Sequence, residues 1–496
     1  MQLSNHTQDY LDIHQRVGGD SGFEWKILKP GQNCWRVPAC RRAAALIDGA
    51  SYFSRLEAML REAHRSILIL GWDFDGSIRL RPDACPEDSP PLGPLLRSLL
   101  EDEPELEIRI LVWSLATLHA PSAPAPLLLG TDWQDHPRLH LRLDAHHPIY
   151  AAHHQKIVCI DDAVAFVGGM DLTIERWDTT GHAIDDPHRV RSDSQPYCPV
   201  HDIQMVVDGE AAKSVAELAR WRWAAATGEI LAPVPSREEL WPADLAPDFA
   251  DVPVAIARTI PAWDGEAAVE EVANLTADAL SAARETIYIE AQYMTAPYVG
   301  KILVSHLSRF DGPEVVIVMT YESHGLAERL VMGSNRDRLI RRLKNADRHD
   351  RLRIYYPCVS TPSGEHRQVL VHSKLIIIDD CFLRIGSSNL NNRSIGLDTE
   401  CDLAIEAGDS STRQGIAKLR EQLLAEHLDV HPELLASTME AEKSLIRAIE
   451  ALNHKPRCLR PFEALFTKGP SRPALGTHLL DPEKPFEPLW FLRSKR

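Results

Sequence analysis

One pattern is written twice in this chain, and it restricts the fold more than any other feature. HHQKIVCIDD (153–162) and VHSKLIIIDD (371–380) both follow the spacing H-x-K-x4-D, giving His154, Lys156 and Asp161, then His372, Lys374 and Asp379. The neighbouring segments recur in the same order: HRSILILGWD (64–73) with RETIYIEAQY (284–293), IRILVWS (108–114) with VVIVMT (315–320), and RLHLRL (138–143) with RLRIYY (351–356). Equivalent segments lie roughly 206 to 220 residues apart. The order holds while the loop lengths drift, which is how a duplicated unit should look, because surface loops tolerate insertions.

In each copy an apolar run follows a helix-like segment, LEAMLREAHRS (56–66) or LTADALSAARET (275–286). Strands alternating with helices predict α/β layers built on a parallel or mixed sheet. A chain of 496 residues also exceeds what one hydrophobic core usually serves. The expected division is an N-terminal extension over 1–44, a first half over 45–245, a second half over 246–430, and a helical, Pro-rich C-terminal extension over 431–496. The boundary between halves is expected in APVPSREELWPADLAPDFADVP (232–253).

Read as a strand, HHQKIVCIDD places His154 and Lys156 on one face, continued by Val158 and Ile160. Gln155, Ile157 and Cys159 take the other face. Both faces become apolar, so layers must cover both sides, and the polar start must emerge at a sheet end where open α/β sheets place ligands. An imidazole beside an ammonium suits phosphoryl chemistry. Lysine neutralises phosphate oxygens as a point charge, and histidine serves as nucleophile or proton donor near neutral pH. One H-x-K on a strand is commonplace; two with the same spacing to Asp, each followed seven positions later by Gly168 or Gly386, are not.

The extended pattern H-x-K-x4-D-x6-G-[SG]-x-N resembles the signature of the phospholipase D superfamily. His372, Lys374, Asp379, Gly386, Ser387 and Asn389 match it throughout, and His154, Lys156, Asp161, Gly168 and Gly169 match it with Asp171 in place of Asn. That departure is similar to the eukaryotic-type phospholipase D enzymes. So are IYIEAQYM (287–294), PVHDIQMVVDGEAAKSVAELARWRW (199–223), NLNNRSIGLDTECDLAI (389–405) and LLAEHLD (423–429). The resemblance covers roughly residues 45–430 and includes no counterpart of those enzymes' accessory lipid-binding domains.

The resemblance implies two α/β/α sandwich halves related by a pseudo-twofold, with one active site at their interface. It implies a phospholipase D that cleaves the distal phosphodiester of glycerophospholipids, or transfers the phosphatidyl group to an alcohol. His154 would attack phosphorus to give a phosphohistidine, and His372 would protonate the departing alcohol. Lys156, Lys374 and Asn389 would hold the phosphate oxygens, with Gly169 and Ser387 alongside. Glu400, 28 residues after His372, would orient that imidazole. The corresponding first-half position is His182, which leaves Asp178, Asp185 or Asp186 to orient His154. Asp161 and Asp379 complete the candidate catalytic set, with bracing of their motifs the expected role. A cardiolipin synthase-like phosphatidyltransferase and a nuclease of the same superfamily are the alternatives.

Composition weighs on the partners. Lys and Arg total 54 against 71 Asp and Glu, a net charge of −17 that disfavours nucleic acid and leaves room for one basic pocket. A phospholipid at a membrane surface is the expected substrate, and a monomer suffices, since both motifs share one chain. The nine cysteines are scattered without a C-x-x-C pair, so they are expected to be reduced. No cofactor or metal is expected, and the remaining histidines are expected to have ordinary surface or core roles. MQLSNHTQDYLDIHQRV (1–17) lacks a basic start and apolar core, and no apolar run approaches the ~20 residues of a membrane span. The expectation is a cytoplasmic protein, peripheral at the membrane at most, with PLWFLRSKR (488–496) as an apolar, basic tail.

Overall fold

The computed structural model describes residues 26–114, 130–148, 150–191, 193–235, 240–321, 333–361, 364–463, 481, 482 and 484. The segments 1–17 and 488–496 singled out above lie outside them.

The recurring apolar segments form the centres of two mixed sheets, of eight and ten strands among the described residues. In the first, Ser66–Gly71, Glu107–Trp113 and Leu139–Asp144 run parallel, and Ile157–Ile160 returns antiparallel with Ile157 opposite Leu70. In the second, Thr286–Ala291, Glu314–Met319 and Leu352–Ser360 run parallel, and Lys374–Ile378 returns antiparallel with Lys374 opposite Ala291. The duplicated sequence is therefore a duplicated topology. Each motif enters its strand beside the carboxyl end of the innermost parallel strand.

Alternation along the motif strands sorts their side chains between layers. Val158 packs outward with Tyr52, Phe53 and Leu56 of the helix Asp48–Arg61. Ile376 packs outward with Leu275 of the helix Glu271–Ala282 and Leu303 of the helix Pro297–Ser308. Cys159, Leu375 and Ile377 face inward into one core shared by both sheets, filled by Trp223 of the helix Gly209–Thr227 and by Ile416 and Leu423 of the helix Ser410–Leu428. Each large aliphatic side chain buried there contributes about 1.5–3 kcal/mol, so the middle layer binds the halves into one body. The result is the α/β/α arrangement about a pseudo-twofold. Among the described residues no helix is long and apolar enough to cross a membrane.

The structure moves the expected boundaries. Ala39–Ile47 lies within the first sheet, between Ile203–Asp208 and Phe249–Pro253, so residues assigned to the N-terminal extension and to the second half both complete that sheet. The chain passes to the second sheet at Val254, since Ala255–Ile260 pairs with Glu400–Glu406. Arg457–Pro461, from the expected C-terminal extension, pairs with Leu352–Ser360. In Ala39–Ile47 the sequence ACRRAAALI has no β-branched or aromatic residue until its last position, so it carries little strand signal.

Candidate active site

The aspartates of the two motifs close their strands. Asp161 accepts hydrogen bonds from the backbone N–H groups of His64, Arg65 and Ser66 at 2.8–2.9 Å, and Asp379 from those of Arg284, Glu285 and Thr286 at 2.7–2.8 Å. The next residue turns back to the middle layer: Asp162 pairs with Arg220 at 2.6 Å and Asp380 with Arg420 at 2.7 Å. All four aspartates adopt a left-handed φ of 49–52°, which Asp tolerates better than most residues. Asp161 and Asp379 thus sit at the opposite strand end from the histidines and do not reach the reacting groups, for all their place in the motif.

The histidines are held across the interface. His154 Nδ1 lies 2.9 and 3.1 Å from the two carboxylate oxygens of Glu400, and His372 Nδ1 lies 2.7 Å from Asp202 Oδ2. The backbone crosses in the same way: His154 N donates to Thr399 O at 3.1 Å, and His372 N donates to His201 O at 2.8 Å. Leu370–Val371 forms a short parallel pair with Val200–His201. This corrects the expected pairing of Glu400 with His372. It also removes Asp178, Asp185 and Asp186 as partners of His154: Asp178 binds His182 and Arg189, and Asp185 pairs with Arg367. Asp202, which sequence reasoning passed over, is the twofold counterpart of Glu400. Gly168 pairs with Gln204 and Gly386 with Asp402, and each carboxylate lies two residues before that partner. The loop between motif and carboxylate is about twenty residues longer in the first half, so counting from the histidine landed on His182.

Gly169 and Ser387 lie against the two carboxylates. A Cβ at Gly169 would lie 2.2 Å from Asp202 Oδ1, so the glycine makes room for that carboxylate. Ser387 donates to Glu400 Oε2 at 2.5 Å and accepts from Cys401 N, and Ser394 donates to Glu400 Oε1 at 2.7 Å. Asn389 differs. Its buried carboxamide oxygen has no hydrogen-bond partner among the described residues.

The lysines are buried beside their histidines, with Lys156 Nζ 3.1 Å from Asp171 Oδ2 and Lys374 Nζ 3.1 Å from Gln292 Oε1. Asp171 replaces the motif's Asn, and this explains it: one lysine has an anionic partner and the other a neutral amide. Burial, then Lys156 and Lys374, hold His154 well below the usual imidazole range. Burial, then Lys374, Arg176 and Lys156, do the same to His372. Burial lowers Lys374 to about 7, with Lys156 and Arg176 adding to the effect, and burial raises Glu400 to about 7. Each motif therefore feels the other's charge, as groups of one pocket must. Arg176, from the segment after Asp171, is a further cation here that spacing gave no means of finding. The arrangement offers two imidazoles with Nδ1 engaged, leaving Nε2 for chemistry, beside the cations Lys156, Lys374 and Arg176.

Residues 276–422 match the family model described as "Cardiolipin synthase, PLD-like domain". Phospholipase D A of Dictyostelium discoideum is 24% identical over 364 residues, covering 58% of this chain and 28% of its own length. Phospholipase D1 of Schizosaccharomyces pombe is 21% identical over 497 residues, covering 79% of this chain and 35% of its own length. The chain spans about a third or less of the length of these relatives. The crystal structure of phosphatidylserine synthase from Haemophilus influenzae Rd KW20 superposes with a TM-score of 0.56 at 13% identity, covering 84% of this chain and 97% of that one, a likeness of fold.

Proposed function

Since the chain belongs to the phospholipase D superfamily, we propose that it is a phospholipase D, a phosphodiesterase that releases the headgroup of a glycerophospholipid through a phosphohistidine. The observation that supports this reading most is the exchange of carboxylates across the interface. It fixes both imidazoles by Nδ1, each from the opposite half, and leaves their Nε2 atoms for the substrate.

In this reading His154 Nε2 attacks phosphorus while the bond to the headgroup oxygen breaks, and His372 Nε2–H gives its proton to that oxygen. His372 then takes a proton from water, or from an alcohol, whose oxygen attacks phosphorus and releases His154. Glu400 accepts the Nδ1–H of His154 and stabilises the positive charge the ring acquires; Asp202 serves His372 in the same way. Lys156, Lys374 and Asn389 engage the non-bridging oxygens, with Arg176 adding charge on the side of His372. The cations that add to burial in lowering the proton affinity of His372 also prepare it, because a bound phosphodiester anion offsets them and raises that affinity.

The test is a panel of phosphatidylcholine and phosphatidylethanolamine vesicles with and without a primary alcohol. The expected products are free headgroup and, with alcohol, a phosphatidyl alcohol, neither of them formed by His154→Ala. Absence of both from wild type across the panel would overturn the reading. The description of the matched family favours a second reading, phosphatidyl transfer to a lipid hydroxyl. A vesicle arm containing phosphatidylglycerol separates the two by its diphosphatidyl product.

A further inference from the structure

Directly behind Asp202, in the seam between the first sheet and the helix Ser410–Leu428, four side chains converge that the phosphate chemistry does not use. Asp48, His182, His201 and Glu426 each place one oxygen or nitrogen within 4.8 Å of the others. Their side chains are at most 4% exposed. Glu426 Oε1 lies 2.9 Å from His182 Nε2 and 2.8 Å from His201 Nδ1, while Asp48 Oδ1 lies 3.1 Å from His201 Nδ1 and Oδ2 lies 3.6 Å from His182 Nε2. Four bonds of about 2.0–2.1 Å to one tetrahedral ion set ligand atoms about 3.3 Å apart. The observed spacings fall on either side of that value.

The outer ring nitrogens carry the second observation. His182 Nδ1 lies 2.9 Å from Asp178 Oδ2, and His201 Nε2 lies 2.9 Å from Glu290 Oε2. Each imidazole is thus flanked on its outer side by a carboxylate, the order in which metal-ligating histidines are held. Those carboxylates are fixed in turn, Asp178 by Arg189 at 3.1 Å and Glu290 by the Tyr288 hydroxyl at 2.5 Å. A third observation lies inside the cluster: Asp48 Oδ2 and Glu426 Oε2 are buried and have no hydrogen-bond partner among the described residues. Buried carboxylate oxygens rarely go unsatisfied. With both imidazoles neutral and donating their outer N–H, the inner set would be two nitrogen lone pairs and two carboxylates, a charge of −2 that a divalent cation balances.

We propose that Asp48, His182, His201 and Glu426 bind one divalent transition-metal cation of the zinc class. Two imidazoles and two carboxylates suit such an ion, and zinc imposes no geometry of its own on them. Four protein ligands leave no open position, so the site is structural. It ties the start of one helix and two segments of the first half to the last turn of a second-half helix. Because His201 precedes Asp202 and accepts from His372 N, the ion also fixes the backbone that aims one catalytic imidazole.

The test is metal content of the untagged full chain by mass spectrometry after gel filtration, followed by cobalt titration of chelator-stripped protein. About one zinc per chain and the visible absorption of tetrahedral cobalt are expected. Asp178→Asn, which keeps all four ligands and alters the partner of an outer ring nitrogen, should weaken cobalt binding about 10- to 100-fold, and folded Glu426→Gln should lose it. Folded wild type that carries no stoichiometric metal and gives no tetrahedral cobalt band overturns the proposal, leaving an ion-pair cluster. Unchanged metal content and spectrum in folded Glu426→Gln also overturn it. If Glu426→Gln fails to fold, the wild-type spectrum and the Asp178→Asn shift decide.

Discussion

Position for position, the first half sets Gly169, Asp171 and Asp202 where the second sets Ser387, Asn389 and Glu400. The frames that carry them are alike down to the three backbone amides on each motif aspartate. The differences gather around the two imidazoles. Glu400 is tied down by two serine hydroxyls, whereas Asp202 Oδ1 is held by the Ile203 N–H at 2.8 Å against a glycine. Lys156 has a carboxylate beside it and Lys374 an amide. Similar frames with unlike surroundings suggest two imidazoles set to different tasks.

Substitution of the reacting groups should erase that difference by stopping the reaction altogether. His154→Ala and His372→Ala should each lower kcat by about 10⁴-fold or more, with circular dichroism unchanged. Wild-type rates in both would end the shared-site model. The carboxylates should then separate the halves. Glu400→Gln and Asp202→Asn should each cost about 10²- to 10³-fold with a natural headgroup. With a p-nitrophenyl ester, whose leaving group needs no proton, the defect of Asp202→Asn should shrink and that of Glu400→Gln persist; equal defects with both substrates would mean the tasks are not divided.

The lysines offer a milder contrast. Burial places Lys374 at about 7, so it is charged below that pH and neutral above it. Inhibition by sulfate, whose own charge stays constant, should therefore weaken as pH rises through 7, by up to about tenfold per unit. Lys374→Arg should flatten the dependence, since a guanidinium keeps its charge. A slope that survives Lys374→Arg would assign the titration elsewhere. The smallest effect on chemistry is expected where the halves are alike. Asp161→Ala and Asp379→Ala each remove a buried carboxylate that accepts three backbone hydrogen bonds and should each lower stability by about 2–3 kcal/mol in denaturant melts. Turnover per folded molecule should stay near wild type; a large loss in either would bring that aspartate back into the reaction.

What could be read from sequence follows the range of the interaction. The motif strands were legible because their alternation is local, and the sheet-end position of His154 and Lys156 followed from it. The partner of His154 was not, because Glu400 lies 246 residues away and arrives by a crossing no spacing rule contains. Asp202 was within reach: the repeat aligns it with Glu400 once the counting starts from Gly168 and Gly386 and not from the histidines. Gly169 and Ser387 lie against the carboxylates that hold the imidazoles. Their pattern is set by what packs against the carboxylates, and a linear motif does not record that. Strand Ala39–Ile47 was lost because small residues replace the β-branched signal.

The exchange by which Thr399 receives the backbone of His154 and His201 that of His372 has a consequence for how such a site can change. Two copies of a single half, paired around a true twofold, would present the same residue to both histidines, so any substitution would strike both at once. Fused into one chain, residues 202 and 400 vary separately, and one imidazole can be retuned while the other keeps its support. Fusion also makes the meeting of the halves intramolecular, so assembly of the pocket no longer depends on how dilute the protein is.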